Sequence, residues 1–334
     1  MLYKKILKPI LFSLDPEVAH QVVLTSAALL SRLPIALKLV EKILDTNKSE
    51  DPIKLFGLEF PNRIGLAAGF DKNCEAFAFM QALGFGHVET GTVTNLPQFG
   101  NERPRLWRLP QDSALINRLG FPSEGVEAVL ERLRPLAAKP RRAILGVNIG
   151  KNKVVPIDQA VEDYVSLFKK VSSYGDYFVL NVSSPNTPEL RKLQEPERLK
   201  ALFSAIKSEN VSDKPVLVKL APDLSKEDLQ QSVETVLACG VSGLIVSNTT
   251  SSREGLSLAV TYQGGLSGLP LFSKALGCVK QVSEVAAGAV PIIGVGGIST
   301  PEHVSMMLEA GASLVQLYTG MVYEGPGLVK KLLV

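Results

Sequence analysis

The chain has 334 residues, of which 46% are hydrophobic and 21% charged, so a large core can form and wholesale disorder is excluded. A net charge of +3, from 36 basic and 33 acidic residues, is too even for a general nucleic-acid binder, and no nucleic-acid partner is expected. Three scattered cysteines (Cys74, Cys239, Cys278) and three histidines (His20, His87, His303) exclude a disulfide framework, a CxxC site and a His-rich metal centre.

Residues 1–50 read as a helical segment distinct from the rest. Leu2, Tyr3, Ile6, Leu7, Ile10, Leu11 and Leu14 form an apolar stripe when wound as a helix, with Lys4, Lys5 and Lys8 off it and Pro9 as a kink. Asp15 and Pro16 supply an N-cap and first-turn pair for a second helix through about Leu33. Pro34 restarts a third, with Leu37, Val40, Ile43 and Leu44 on one side. The pattern fits either a cap packed on the main domain or a device lying in a membrane surface, and seven basic against five acidic residues do not decide between them. No apolar run reaches the roughly 18–20 residues that span a bilayer. A secretory signal and an Arg/Ser-rich transit peptide are both absent from the pattern, so a soluble or surface-attached intracellular protein is expected.

From residue 51 apolar runs alternate with helix-like stretches. The runs are IGLAAG (64–69), HVETG (87–91), AILGVNI (143–149), YFVLNV (177–182), PVLVKLA (215–221), GLIVSN (243–248), PIIGVG (291–296) and SLVQLYT (313–319). Intervening segments such as 157–175 and 225–240 open on Asp or Ser and close on Gly. Eight near-continuously apolar strands joined by helices predict a parallel (β/α)8 barrel, with residues 51–334 as its domain. Residues 53–60 are expected to add one strand closing the barrel floor, and PRLWRLP, within 92–121, a hairpin over the mouth.

In such a barrel the chemistry sits at the C-terminal strand ends. Those ends carry Gly69, Phe70, Asp71 and Lys72; Thr92; Asn148; Asn181 to Thr187; Lys219; Ser247, Asn248 and Thr249; Gly297; and Tyr318 and Thr319. Asn148, Asn181, Asn186 and Asn248, with Asn117, offer amide donors and carbonyl acceptors suited to a flat heterocycle such as a pyrimidine or a flavin. Lys219 follows PVLV, so its cation starts inside the mouth, where it can form a Schiff base or sit beside an anionic locus of a flavin. GVGGIST (294–300) lacks the third glycine and the downstream acid of a dinucleotide fingerprint, which favours a mononucleotide phosphate held by glycine loops after the last two strands. Ser184 lies outside any GxSxG elbow and has no neighbouring histidine, so a hydrolase triad is not expected.

The motifs LFxLDPExAH, LAAGxDK, GTVT, PRLxRL, INRxGF, NIGKNK, NxSSPNT, VKxAPDLS, NTT, GGLSG, IIGVGGI and GASLVQxYTG follow in that order from about Leu11 to Gly327. Together they resemble dihydroorotate dehydrogenase of the quinone-dependent, membrane-associated class. The resemblance implies an FMN-containing (β/α)8 barrel that oxidises dihydroorotate to orotate in pyrimidine synthesis and hands the electrons to ubiquinone or menaquinone. By the same resemblance Ser184 is the base that removes the C5 proton, with Thr187 and Phe121 flanking the proton exit. Lys72, Asn117, Arg118, Leu119, Gly120, Phe121, Asn181, Asn186, Asn248 and Thr249 hold the orotate ring and carboxylate. FMN lies against Ala68, Gly69, Phe70, Asp71, Lys72, Thr92, Asn148, Asn181, Lys219 and Ser247, its phosphate on Gly268, Gly297, Tyr318 and Thr319. The N-terminal helices form a quinone tunnel with His20 and Arg108 near its inner end. A monomer on the cytoplasmic face of a bacterial cell membrane is the expected setting. Two departures stand out: Ser247 where many relatives have Thr, and Phe70 for a common Leu.

Overall fold

The computed structural model describes residues 3–44 and 52–333. Eight parallel strands close into a barrel in sequence order: β1 (Ile64–Leu66), β2 (His87–Val93), β3 (Ile144–Ile149), β4 (Tyr177–Asn181), β5 (Val216–Leu220), β6 (Gly243–Val246), β7 (Ile292–Val295) and β8 (Leu314–Leu317). The eight expected runs are all strands, each ending up to three residues before its run does, except β3, which ends with its run at Ile149, and β2, which runs on to Val93. Every strand residue but Ile144 is buried, because helices cover the outside of the sheet while side chains fill the inside. The helix starts are set by local chemistry: Ser225 accepts from Asp228 N at 3.0 Å and Thr300 from His303 N at 3.3 Å.

Residues 53–60 form two short antiparallel strands, Ile53–Leu55 and Leu58–Phe60, in place of the single strand expected. Phe56 and Gly57 both take positive φ (56° and 74°), the backbone of a tight hairpin turn. Over the opposite end, Leu106–Leu109 pairs with Ala114–Asn117 as the expected hairpin, and Gly265–Gly268 adds a third antiparallel strand to it.

The floor is plugged by Phe60, Tyr177, Val179, Leu217, Ile245 and Leu314. His87 stands among them, fully buried, 5.5 Å from the Phe60 ring and 6.5 Å from the Tyr177 ring, with neither ring nitrogen partnered. Only a glycine fits opposite it: a Cβ on Gly65 would lie 2.0 Å from the imidazole. Burial pushes the His87 pKa down to about 3. The folded form therefore binds the proton less readily than the unfolded chain, so stability is complete above the ordinary histidine pKa and is lost as pH falls below it. At pH 4.5 this one residue costs about 2–3 kcal/mol. His87→Phe is expected to narrow the difference in unfolding free energy between pH 7.5 and 4.5 by that amount in urea titrations, and an unchanged difference would refute the assignment.

Three helices precede the barrel: α1 (Lys8–Ser13) after a π-helical turn at Tyr3–Leu7, α2 (Pro16–Ser31) and α3 (Pro34–Leu44). Asp15 caps α2 through bonds from Glu17 N and Val18 N at 2.9 and 3.1 Å. Ala19, Leu24 and Ala27 of α2 are buried, and Val40 and Leu44 of α3 pack on the core. Ile43, expected beside them, points outward instead, with Ile35 and Leu39. Ile6, Leu7, Ile10, Leu14, Leu29 and Leu33 are exposed as well, so these helices carry an apolar outer face. No single described helix is long and apolar enough to cross a membrane; α2 and α3 meet at 109°.

Candidate active site

At the C-terminal end of the barrel a buried hydrogen-bond network fixes the floor of a cavity. The Glu89 carboxylate accepts from Asn148 Nδ2 at 2.7 Å and Gln316 Nε2 at 2.6 Å. Asn148 Oδ1 in turn accepts from Thr92 Oγ1 at 2.6 Å, and Asn181 Nδ2 donates to Thr92 Oγ1 at 2.8 Å. Asn248 Nδ2 donates to Ser183 Oγ at 2.9 Å. Each amide is thereby held in one orientation by its neighbours, which is what a rigid recognition surface requires.

One group on this floor has no bond of its own. Lys219, 5% exposed and lining the cavity, has no hydrogen-bond or ion-pair partner among the described residues. Burial lowers its pKa and the Glu89 charge opposes the shift. Gln316 lines the same cavity, with its amide nitrogen held by Glu89 and its Oε1 buried toward the Tyr177 hydroxyl. The floor therefore offers one cation to whatever lies on Ala67, Ala68 and Gly69.

The side wall is a glycine cradle. Gly268, Gly296 and Gly297 all take positive φ, and a Cβ on Gly297 would lie 2.6–2.8 Å from Phe272, much of it backbone. Thr319 Oγ1 donates to Ser267 Oγ at 2.9 Å beside it. Glycines in this conformation expose backbone N–H groups to an anion.

The roof belongs to the segments after β2 and β4. Ser184, 6% exposed, lines the cavity, and its Oγ accepts only from Asn186 N at 3.2 Å among the described residues. The Thr187 hydroxyl is buried with no partner. Phe121 takes positive φ (53°) and its carbonyl accepts from Gln98 Nε2 at 2.9 Å, which fixes its ring over the opening. Asn186 Nδ2 donates to Asn117 O and Oδ1 at 3.0 and 3.1 Å. Lys72 lines the cavity, donates to Gly69 O at 2.7 Å, and burial pushes its pKa down to about 8.

Of the residues singled out in the sequence, Lys72, Asn117, Leu119, Gly120, Phe121, Asn181, Ser184, Asn186, Asn248 and Thr249 line this cavity. So do Ala68, Gly69, Thr92, Lys219, Ser247, Gly268, Gly297, Tyr318 and Thr319. Others do not. Arg118 turns away to Pro104 O and the Trp107 ring. Asp71 accepts from Glu75 N and Ala76 N and closes a turn behind the site. Phe70 stands behind Tyr318, Asn148 lies beneath the floor, and Thr187 is off the lining. Glu89 and Gln316, which organise the floor, were not singled out; the signal was a carboxylate and an amide inside otherwise apolar strands.

A second cavity opens beside the first and shares Lys72, Leu106, Leu119, Pro122 and Tyr318 with it. Glu17, His20 and Leu24 of α2 form its far wall. His20 packs edge-on to Phe70 at 5.1 Å, and Phe70 to Tyr318 at 5.6 Å, so an aromatic row connects the two cavities. Burial holds the His20 pKa at about 3, leaving it neutral. Arg108 is not in this cavity: it donates to Phe12 O and Leu14 O at 3.0 Å and lies over the Phe12 ring. Arg108 thus meets the helices just before the start of α2, the helix that also carries His20. Buried Arg105 ties α2 to the roof, bonding to Glu17 and to the carbonyls of Phe99 and Asn101.

A sequence profile described as dihydroorotate dehydrogenase matches residues 52–333. A protein named dihydroorotate dehydrogenase (quinone) from Christiangramia forsetii is 46% identical, over 98% of this chain and 97% of that one. One of the same name from Salinispora arenicola is 47% identical, over 99% and 97%. A crystal structure of DHODH from Eimeria tenella in complex with ferulenol superposes with a TM-score of 0.87 at 37% identity, over 97% of this chain and 92% of that one. With a closed eight-stranded parallel barrel beneath these matches, the chain belongs to the dihydroorotate dehydrogenase family.

Proposed function

We propose that this protein oxidises dihydroorotate to orotate in pyrimidine synthesis and passes the electrons to a membrane quinone, using one bound FMN. The observation that carries the reading is the cavity floor, where a Lys219 ammonium without a partner among the described residues stands among orientated amides and next to a glycine cradle. That donor set fits FMN: Lys219, Asn181 and Thr92 would hold its ring, and the Gly296–Gly297 and Gly268 loops its phosphate. FMN supplies the hydride-accepting ring.

This chain's residues do the rest. Lys72 and the Asn117, Asn186, Asn248 and Thr249 group bind the substrate's carboxylate and ring amides. A wrong ring leaves those buried groups unpaired, which is how such a pocket discriminates. Ser184 takes the proton from C5 as the hydride departs from C6. The Thr187 hydroxyl, buried without a partner among the described residues, passes that proton on, and Phe121 keeps bulk water off the reacting carbons. The N-terminal helices lie in the membrane surface on their apolar outer face, and the second cavity, with His20 at its wall, receives the quinone. The protein acts as a monomer at the cytoplasmic face of the cell membrane.

The test is an anaerobic titration of the purified yellow protein. Dihydroorotate is expected to bleach the flavin bands and a ubiquinone analogue to restore them, with FMN released on denaturation. A colourless protein that takes up no added FMN would refute the reading.

Because Lys72 titrates near pH 8 and must be a cation to hold a carboxylate, orotate affinity is expected to weaken by up to about tenfold per pH unit above that point. Perturbation of the flavin spectrum by orotate between pH 7 and 9.5 measures it, and a flat profile would remove Lys72 from the carboxylate site.

A further inference from the structure

Two charged residues outside both cavities bind the backs of the loops that carry the reaction. Arg191, in the 3-10 turn Leu190–Gln194 after β4, uses three faces of its guanidinium. Nε donates to Ser183 O at 3.1 Å, Nη2 to Thr249 O at 3.4 Å and Nη1 to Asp223 Oδ2 at 3.1 Å. Asp223, in the turn after β5, also accepts from Lys274 Nζ at 2.9 Å, from Ser251 N and Oγ at 2.8 and 3.0 Å, and from the Thr250 hydroxyl. These bonds hold the Asp223 carboxyl far below the usual range despite its partial burial.

The placement is specific. Ser183 immediately precedes Ser184, and Thr249 is a wall of the substrate cavity. On the cavity side the same two loops are joined by Asn248 Nδ2 and Ser183 Oγ. Arg191 joins them again from behind, so the spacing between Ser184 and Thr249 is fixed on both sides. A planar guanidinium serves two carbonyls and a carboxylate from three separate nitrogens in a fixed fork, whereas a lysine's three donors share one nitrogen. We infer that Arg191 and Asp223 are positioning residues for the reductive half-reaction: they set the distance between the proton acceptor Ser184 and the Thr249 wall of the substrate cavity. This inference rests on the function proposed above.

The test uses the full-length FMN-loaded protein and three variants, Arg191→Lys, Arg191→Gln and Asp223→Asn. Flavin reduction by dihydroorotate and reoxidation by a quinone analogue are timed separately by stopped flow. Reduction is expected to slow by about tenfold to a hundredfold, as for a small misplacement of reacting groups. Reoxidation and FMN content are expected to stay within about twofold of the parent, because neither residue touches the cradle or the second cavity, and Arg191 meets the floor network only at the Ser183 carbonyl, not at its hydroxyl. Arg191→Lys, which keeps the charge beside Asp223 but not the fork, is expected to show the same one-sided loss and serves if the other variants fold poorly. Reduction rates within twofold of the parent, or equal loss in both half-reactions, would overturn the inference. If the parent protein itself is not reduced by dihydroorotate, it is the proposed function that fails.

Discussion

Ser184→Ala is expected to slow flavin reduction by dihydroorotate by about 10²–10⁴-fold at neutral pH, the range that a positioned proton acceptor contributes. Ser184 is nearly enclosed and bonded only to Asn186 N, and no histidine or carboxylate is hydrogen-bonded to its hydroxyl among the described residues. An isolated serine is a poor base, so on the proposed reading its work depends on a route for the proton, a role the proposal gives to the buried Thr187 hydroxyl, which has no partner among the described residues. The alanine variant keeps the floor network and the glycine cradle, so FMN content stays at the parent's level. Ser184→Cys separates a base from a packing group. A thiol ionises at about 8.5 when unperturbed, far below a serine hydroxyl, so this variant is expected to regain rate with an inflection moved to lower pH. Stopped-flow reduction across pH 6–9 decides the matter. An alanine variant within tenfold of the parent would remove Ser184 from the proton's path.

The barrel was legible because parallel strands buried on both faces write themselves as unbroken apolar runs, and a helix of opposite periodicity separates each pair. What was not legible depends on backbone conformation. Gly265–Gly268 reads as a loop, since Gly-Leu-Ser-Gly has little β-preference, and it becomes a strand only because Ala114–Asn117 offers an edge. The turn at Phe56 splits the floor strand because a phenylalanine takes positive φ there, which its residue type does not announce.

The site divides in the same way. A motif marks where the chain comes near the cavity but not which way each side chain turns. Arg118 shares a motif with Asn117, Gly120 and Phe121, and still points outward to Trp107. Asp71 sits between Phe70 and Lys72, yet its carboxylate is spent on two backbone amides. Asn148, expected against the cofactor, bonds through its amide to Glu89 and Thr92, an arrangement that spacing along the chain does not show. Glu89, Arg191 and Asp223 escaped notice because their value lies in bonds to residues far away in sequence, which spacing along the chain does not encode.

Removing residues 1–46 is expected to abolish quinone turnover while sparing the reductive half-reaction. No barrel strand comes from this segment, so the barrel still closes. Stability falls, because Leu24 and Ala27 no longer cover the core and Phe79 N loses the Ser31 hydroxyl it bonds at 3.1 Å. Arg105 also loses Glu17, but it keeps the Phe99 and Asn101 carbonyls, and Asn101 still bonds Asn186 O at 3.1 Å. The roof over the substrate is therefore loosened, not lost. The wall of the second cavity formed by Glu17, His20 and Leu24 disappears altogether, and with it the apolar face that would meet the bilayer. The diagnostic quantity is the ratio of turnover with ubiquinone to turnover with a water-soluble dye, since a looser roof lowers both equally. That ratio is expected to fall by about a hundredfold or more, the scale on which loss of a positioned site acts. An unchanged ratio would mean that the quinone reaches the flavin by a path that avoids these helices.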